Sequence, residues 1–100
     1  MANRMNKQYF DWVDEYPKYV VLRKEGWLFR AKEECARVLA NALDYRLMER
    51  DNGIVESGTR QLDSMLNGLS ERHINYIAIH FDKVIAEESF DDNAYNSYLF

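Results

Sequence analysis

Cysteine, proline and glycine are all scarce in this chain, and each scarcity removes a class of function. Cys35 is the single cysteine, so no internal disulfide can form and no cysteine-based metal site is available. The four glycines stand apart at positions 26, 53, 58 and 68, which excludes a glycine-rich loop that cradles phosphates. Pro17 is the one proline. No apolar run approaches the ~20 residues that cross a bilayer. The opening MANRMNKQYF lacks the apolar core of a signal peptide, so a cytoplasmic protein with no membrane contact is the expectation. His73 and His80 supply at most one ligand each, so no metal cluster emerges. No nucleophile elbow is present. Asp44, Glu49, Asp51 and Glu56 bracket one hairpin, but carboxylates at that spacing are ordinary surface charge far more often than a Mg²⁺ site. A non-enzymatic protein without metal or cofactor is the reading.

What is present is apolar sequence in short runs with charge interleaved, as in a single folded domain of 100 residues. The formal charge of −4 is uneven. Residues 1–50 hold ten Lys or Arg against eight Asp or Glu; residues 51–100 hold three against nine. The field of the whole chain repels a polyanion, so any nucleic-acid contact rests on a local patch. Arg23, Lys24, Arg30 and Lys32 form the best such patch, around Gly26.

The periodicities predict a helix over 4–16, striped by Met5, Tyr9, Trp12, Val13 and Tyr16 and stopped by Pro17. Tyr19–Leu22 reads as a buried strand, Arg23–Gly26 as a charged turn, and Trp27–Arg30 as the returning strand. A helix over 31–43 carries Cys35, Val38, Leu39, Ala42 and Leu43 on its apolar stripe. Strands follow at 45–50 and 54–56 around an Asn52-Gly53 hairpin turn. Ser57-Gly58-Thr59 then breaks the extension, with Thr59 as an N-cap for the helix Leu62–Leu69. Tyr76–Phe81 is apolar on both faces, as a central strand is. Lys83–Ala86 reads as a last helical turn. The remainder, 87–100, is an acidic, aromatic tail that either docks as a helix or folds on a partner. The order α-β-β-α-β-β-α-β defines an α/β fold with a mixed β-sheet flanked by helices, occupying 1–86 ahead of the tail.

Tyr16 to Arg50 resembles the N-terminal mismatch-recognition domain of MutS-type DNA repair proteins. That domain runs Tyr-Pro, apolar strand, Arg-x-Gly-Asp-Phe-Tyr-Glu, a helix with Asp-Asp-Ala, then Leu-Asp-x-x-Leu and a basic residue. Tyr16-Pro17, the strand Tyr19–Leu22, Lys24 and Gly26, Glu33–Ala36, Leu43-Asp44, Leu47 and Arg50 follow that order without a gap. Gly58, the helix Leu62–Leu69 and Tyr76–Ile79 extend the likeness to residues 9–81. The resemblance implies a MutS-like fold in a bacterial or mobile-element setting. It also implies duplex DNA as ligand, contacted by Lys24, Gly26, Leu28, Arg30 and Lys32, and a repair or mobile-element protein as a partner. The family's mismatch-reading Phe and Glu fall on Leu28 and Arg30. Leu28 remains an apolar wedge, but Arg30 is no acceptor, so mismatch reading is not expected. The family's ATPase has no counterpart here, and no ATP is implied. The alternative is a protein-interaction adaptor that keeps the fold without the DNA.

Overall fold

In this computed structural model, which describes residues 7–100, the strand Val20–Glu25 (β1) is the piece around which the others are set. The helix Tyr9–Glu15 (α1) precedes it and packs on it through Tyr9 and Trp12. β1 folds back into Leu28–Lys32 (β2), followed by the helix Glu34–Leu43 (α2). Then come Met48–Glu49 (β3), Val55–Thr59 (β4), the helix Leu62–Glu71 (α3), Tyr76–His80 (β5) and Lys83–Glu88 (β6). A 3-10 turn at Tyr95–Tyr98 ends the ordered elements. The six strands form one sheet in the order β3-β4-β2-β1-β5-β6. β1 and β5 are parallel; every other neighbouring pair is antiparallel. This is the expected α/β architecture, a mixed sheet with helices against it. α2 lies on β1, β2 and β4 and also meets α3.

The core follows from the two most apolar runs. Val20, Val21 and Leu22 on β1 lie beside Ile77, Ala78 and Ile79 on β5, all without exposed surface. Each such Val, Leu or Ile contributes ~1.5–3 kcal/mol by leaving water. Val38, Leu39, Met65 and Leu69 complete the layer from the helices. Cys35 is a core residue, as its place on the stripe predicts.

Several boundaries differ from expectation, for physical reasons. The helix before Pro17 begins at Tyr9; residues 4–6 and the stripe position Met5 lie outside the described residues. β1 continues through Arg23, Lys24 and Glu25 because these pair with Arg30, Phe29 and Leu28. The turn is therefore Gly26-Trp27, and Trp27 is not in a strand. Ala31 and Lys32 belong to β2 rather than to the helix, since they pair with Ser57 and Glu56. Glu33 has a left-handed φ of 52°, and its N–H donates to the Val55 carbonyl at 2.7 Å, which delays α2 to Glu34. The strand expected over 45–50 shortens to Met48–Glu49.

The reversal after it is a three-residue loop, Asp51–Gly53. The Gly53 N–H bonds Arg50, Arg50 bonds Ile54, and φ is +84° at Gly53, the usual form of that loop length. Ser57-Gly58-Thr59 extends β4 instead of breaking it. A Cβ at Gly58 would stand 2.8 Å from the Phe29 carbonyl oxygen, so glycine here serves close strand approach. Thr59 does not cap α3; its hydroxyl accepts from the Gln61 N–H at 2.9 Å, and the cap position is Gln61. Gly68 admits Leu43 of α2, whose Cδ2 would be 2.8 Å from a Cβ, so the close contact is helix on helix.

Lys83–Ala86 is no helical turn. It opens β6, an edge strand paired with β5, and Glu87 and Glu88 complete that strand across the expected start of the tail. The tail that follows docks on its own domain. Tyr95 is 2% exposed, and its hydroxyl donates to Glu34 Oε1 at 3.0 Å. Asn93 accepts from the Asn75 N–H and donates to the Lys18 carbonyl. Phe90 stacks on His73 at 4.8 Å, and His73 Nδ1 meets Asp92 at 2.9 Å.

Candidate nucleic-acid interface

β1, β4 and β5 run in the same direction, so their carboxyl ends lie along one end of the sheet. That end carries the Gly26-Trp27 turn, Arg60 just past β4, and the Phe81-Asp82 turn between β5 and β6.

Both turns are two-residue hairpin loops, and their backbones differ. Glu25 pairs with Leu28 around Gly26-Trp27, with positive φ (+64°) at Gly26 but not at Trp27. That is the glycine-first pattern of the type II′ turn, and it throws the second side chain outward. Trp27 is 86% exposed. His80 pairs with Lys83 around Phe81-Asp82, where φ is positive at both residues, 53° and 59°. Such a turn favours Asn-Gly, and a bulky aromatic at a left-handed φ is strained by ~1–3 kcal/mol. Phe81 is nevertheless 85% exposed, so burial returns nothing for that strain.

Between the turns lies a cleft of about 370 Å³, lined by Arg23, Lys24, Gly26, His80, Phe81 and Asp82. The His80 and Phe81 rings stack at 4.2 Å with 22° between their planes. Trp27 and Arg60 line a second hollow. Among the described residues, none of the ion pairs involves Lys24, Arg60 or Lys83. All three are exposed.

The residues singled out by the resemblance fall into two groups. Lys24 and Gly26 lie at this end, open to solvent. Leu28, Arg30 and Lys32 share one face of β2, a strand in the interior of the sheet, and are half-buried. Glu25 and Glu56 tie this face together. Lys32 Nζ is 3.3 Å from Glu25 and Arg30 Nη1 is 3.1 Å from Glu56. Arg50 Nε is 3.0 Å from the same Glu56 oxygen, and Arg23 and Arg30 reach Glu25 at 3.9 Å. Four cations around two carboxylates leave the face with excess positive charge. Arg30 itself is held on two sides and retains 19% of its side-chain surface.

Trp27, Phe81, His80, Asp82 and Arg60 were not legible as site residues. Trp27 follows a glycine in a charged stretch, the one signal that it ends a turn. Phe81-Asp82 carries no turn residue beyond Asp82. Of the aromatics on the α1 stripe, Tyr9 and Trp12 are buried and Tyr16 is half-buried.

The Cys35 Sγ accepts from the Val21 N–H at 3.4 Å and lies 3.8 Å from the Tyr95 hydroxyl. Burial pushes the Cys35 thiol up, away from the thiolate a nucleophile needs. Burial likewise raises Tyr9 and Tyr95 well above the ordinary phenol value. No group of three His, Cys, Asp or Glu able to hold a metal ion occurs among the described residues, where no helix is long and apolar enough to cross a membrane. No family model matches this chain, and no curated protein matches it.

Proposed function

We propose that this chain is a non-enzymatic DNA-binding module that resembles the MutS mismatch-recognition domain and grips DNA at the end of its sheet that carries the Gly26-Trp27 and Phe81-Asp82 turns. The observation that carries the reading is Trp27: a large ring, 86% exposed, lining a hollow with the exposed cation Arg60, while exposed Lys24 stands at the same end of the sheet. An exposed ring next to cations that track phosphates is how sequence-tolerant binders hold nucleic acid. The half-buried cations Arg23, Arg30 and Lys32, with exposed Arg50, extend the positive field behind it.

Leu28 and Arg30 do not act here as a sensing pair. Leu28 is half-buried, and Arg30 is engaged by Glu25 and Glu56. Recognition of a mismatch through those two positions is not part of the proposal. The adaptor alternative rests on the acidic second half and the aromatic tail; of these, Tyr95 of the tail is in the core and bonds Glu34.

The test is fluorescence anisotropy with labelled duplex DNA at a stated low salt. Binding weakens steeply as salt rises. Lys24→Glu and Arg60→Glu each weaken it and flatten the salt dependence. Absence of binding by the wild-type chain at about 50 mM salt defeats the reading.

A further inference from the structure

We propose that the outer edge of β6 pairs antiparallel with the same strand of a second copy of this chain, joining two six-stranded sheets into one across a two-fold axis at Ala86. The inference goes beyond the DNA-binding reading and does not depend on it.

β6 is an open margin of the sheet. Among the described strands only β5 pairs with it, so its outer row of backbone donors and acceptors meets no strand. The other margin, β3, has two residues, too few to template a partner; β6 has six. Exposed Val84 and Ile85 stand in the middle of β6. Two features resemble the guards that keep edge strands apart: Lys83, and a bulge at Ile85. In this strand both favour pairing with itself.

The bulge sets the register. Lys83, Ala86 and Glu88 oppose His80, Ala78 and Tyr76, alternate residues of β5, so they share one face of the sheet. Val84 and Glu87 oppose Ile79 and Ile77 on the other face, and Ile85 is the extra residue between them. In an unbroken strand Lys83 and Glu88, an odd number of positions apart, would point to opposite faces. The bulge turns them to the same one. Residues opposed across an antiparallel two-fold axis share a face. An axis at Ala86 meets that condition at every rung. Lys83 then meets Glu88 of the second copy, Val84 meets its Glu87, and Ala86 meets its own counterpart.

The charges fit this register. Among the described residues, none of the ion pairs involves Lys83, Glu87 or Glu88. Lys83 and Glu88 stand at opposite ends of β6, too far apart to meet within one chain. Across the axis they meet twice, and opposite charges directly opposed on neighbouring strands are stabilising. The small side chain at Ala86 lets the strands close at the axis. A contact along one strand edge falls below the ~1,200 Å² of a stable interface, so this dimer forms at high protein concentration and dissociates on dilution.

The experiment is sedimentation velocity on the full chain from micromolar to near-millimolar concentration. The mass should rise toward twice that of the monomer. Lys83→Glu and Glu88→Lys should each weaken self-association roughly tenfold, because both attractive pairs become repulsive. Mixed one to one, the two variants should associate as tightly as the wild type, since each carries the charge the other lacks. A variant that had lost its fold could not be rescued in this way. Ala86→Cys should form an interchain disulfide under copper–phenanthroline oxidation, because opposed Cα atoms of an antiparallel pair lie ~4.5–5.5 Å apart, within disulfide reach. Ser89→Cys, beyond the end of β6, should not, and the native Cys35 is buried. A monomer at every concentration overturns the proposal. So does a dimer that withstands both charge reversals, a mixture of the two variants that fails to associate, or an Ala86→Cys chain that dimerises without cross-linking.

Discussion

The Tyr9 hydroxyl stands between Val21 and Lys32. It donates to the Val21 carbonyl at 2.7 Å and accepts the Lys32 N–H at 3.1 Å. Continuing the register of β1 and β2 would make Val21 and Lys32 direct partners, so the phenol occupies a rung of the ladder. It lets β1 leave β2 and run beside β5 with no buried backbone group stranded. Tyr9→Phe removes this bridge and orphans a donor and an acceptor. We expect a loss of ~1–3 kcal/mol, read as a lower urea midpoint at unchanged slope.

Phe81 offers the opposite outcome. Phe81→Asn relieves a bulky residue at left-handed φ and gives up little more than the stack on His80, since Phe81 is 85% exposed. It should raise stability by ~1 kcal/mol in the same denaturation experiment.

Trp27 and Trp12 separate cleanly in solution, because one is exposed and the other buried. Iodide should quench Trp27 alone, and added DNA should shield it. Trp27→Ser should leave stability within ~0.5 kcal/mol. The same change should weaken DNA binding ~5–150-fold, as expected for a lost stacking platform.

Arg30→Glu looks from the sequence like a test of DNA contact, but the structure makes it a test of folding. It brings a third carboxylate against Glu25 and Glu56 on a half-buried face. The expected loss is ~2–3 kcal/mol, below that of a fully buried pair because 19% of the Arg30 side chain still meets water. Lys24→Glu, at an exposed site with no ion pair among the described residues, reads DNA contact without that penalty.

Alkaline pH should unfold the protein through its buried phenols. Folding raises the pKa of Tyr9 and Tyr95 above the ordinary phenol value of 10.0, chiefly by desolvation. The unfolded chain therefore releases those protons first. Their contribution to stability is complete below pH 10.0 and declines as pH rises above it. A melting temperature flat to that point and falling beyond it, with less fall in Tyr9→Phe, is the expected profile. Asp92 works in the other direction. The hydrogen bond from His73 lowers its pKa, so His73→Ala should raise the Asp92 midpoint toward the ordinary carboxylate value in an NMR titration.

The parts of the fold legible in the sequence are those whose side chains are buried in a regular rhythm. Tyr19–Leu22 and Tyr76–Phe81 announce interior strands, and the stripes at 35–43 and 62–69 announce helices. What escaped is governed by the partner rather than by the segment. Lys83–Glu88 has no alternation because its outer edge is unpaired and a bulge shifts the register near Ile79. Gly58 reads as a breaker until the Phe29 carbonyl is seen against it. The site was half legible. The basic residues around Gly26 could be found by charge, but Trp27 looks like a strand residue until Glu25 and Leu28 are known to pair. Phe81 looks like the end of an apolar run, since nothing local reveals its positive φ.

The side-by-side placement of β1 and β5 bears on how the molecule is made. During synthesis Val20–Leu22 leaves the ribosome long before its permanent neighbour, Ile77–Ile79, exists. Until then the greasiest strand of the protein has one flank open, and contacts so far apart along the chain form slowly. A nascent chain stalled short of residue 76 should therefore aggregate, while one extended a little past Tyr95 should become protease-resistant.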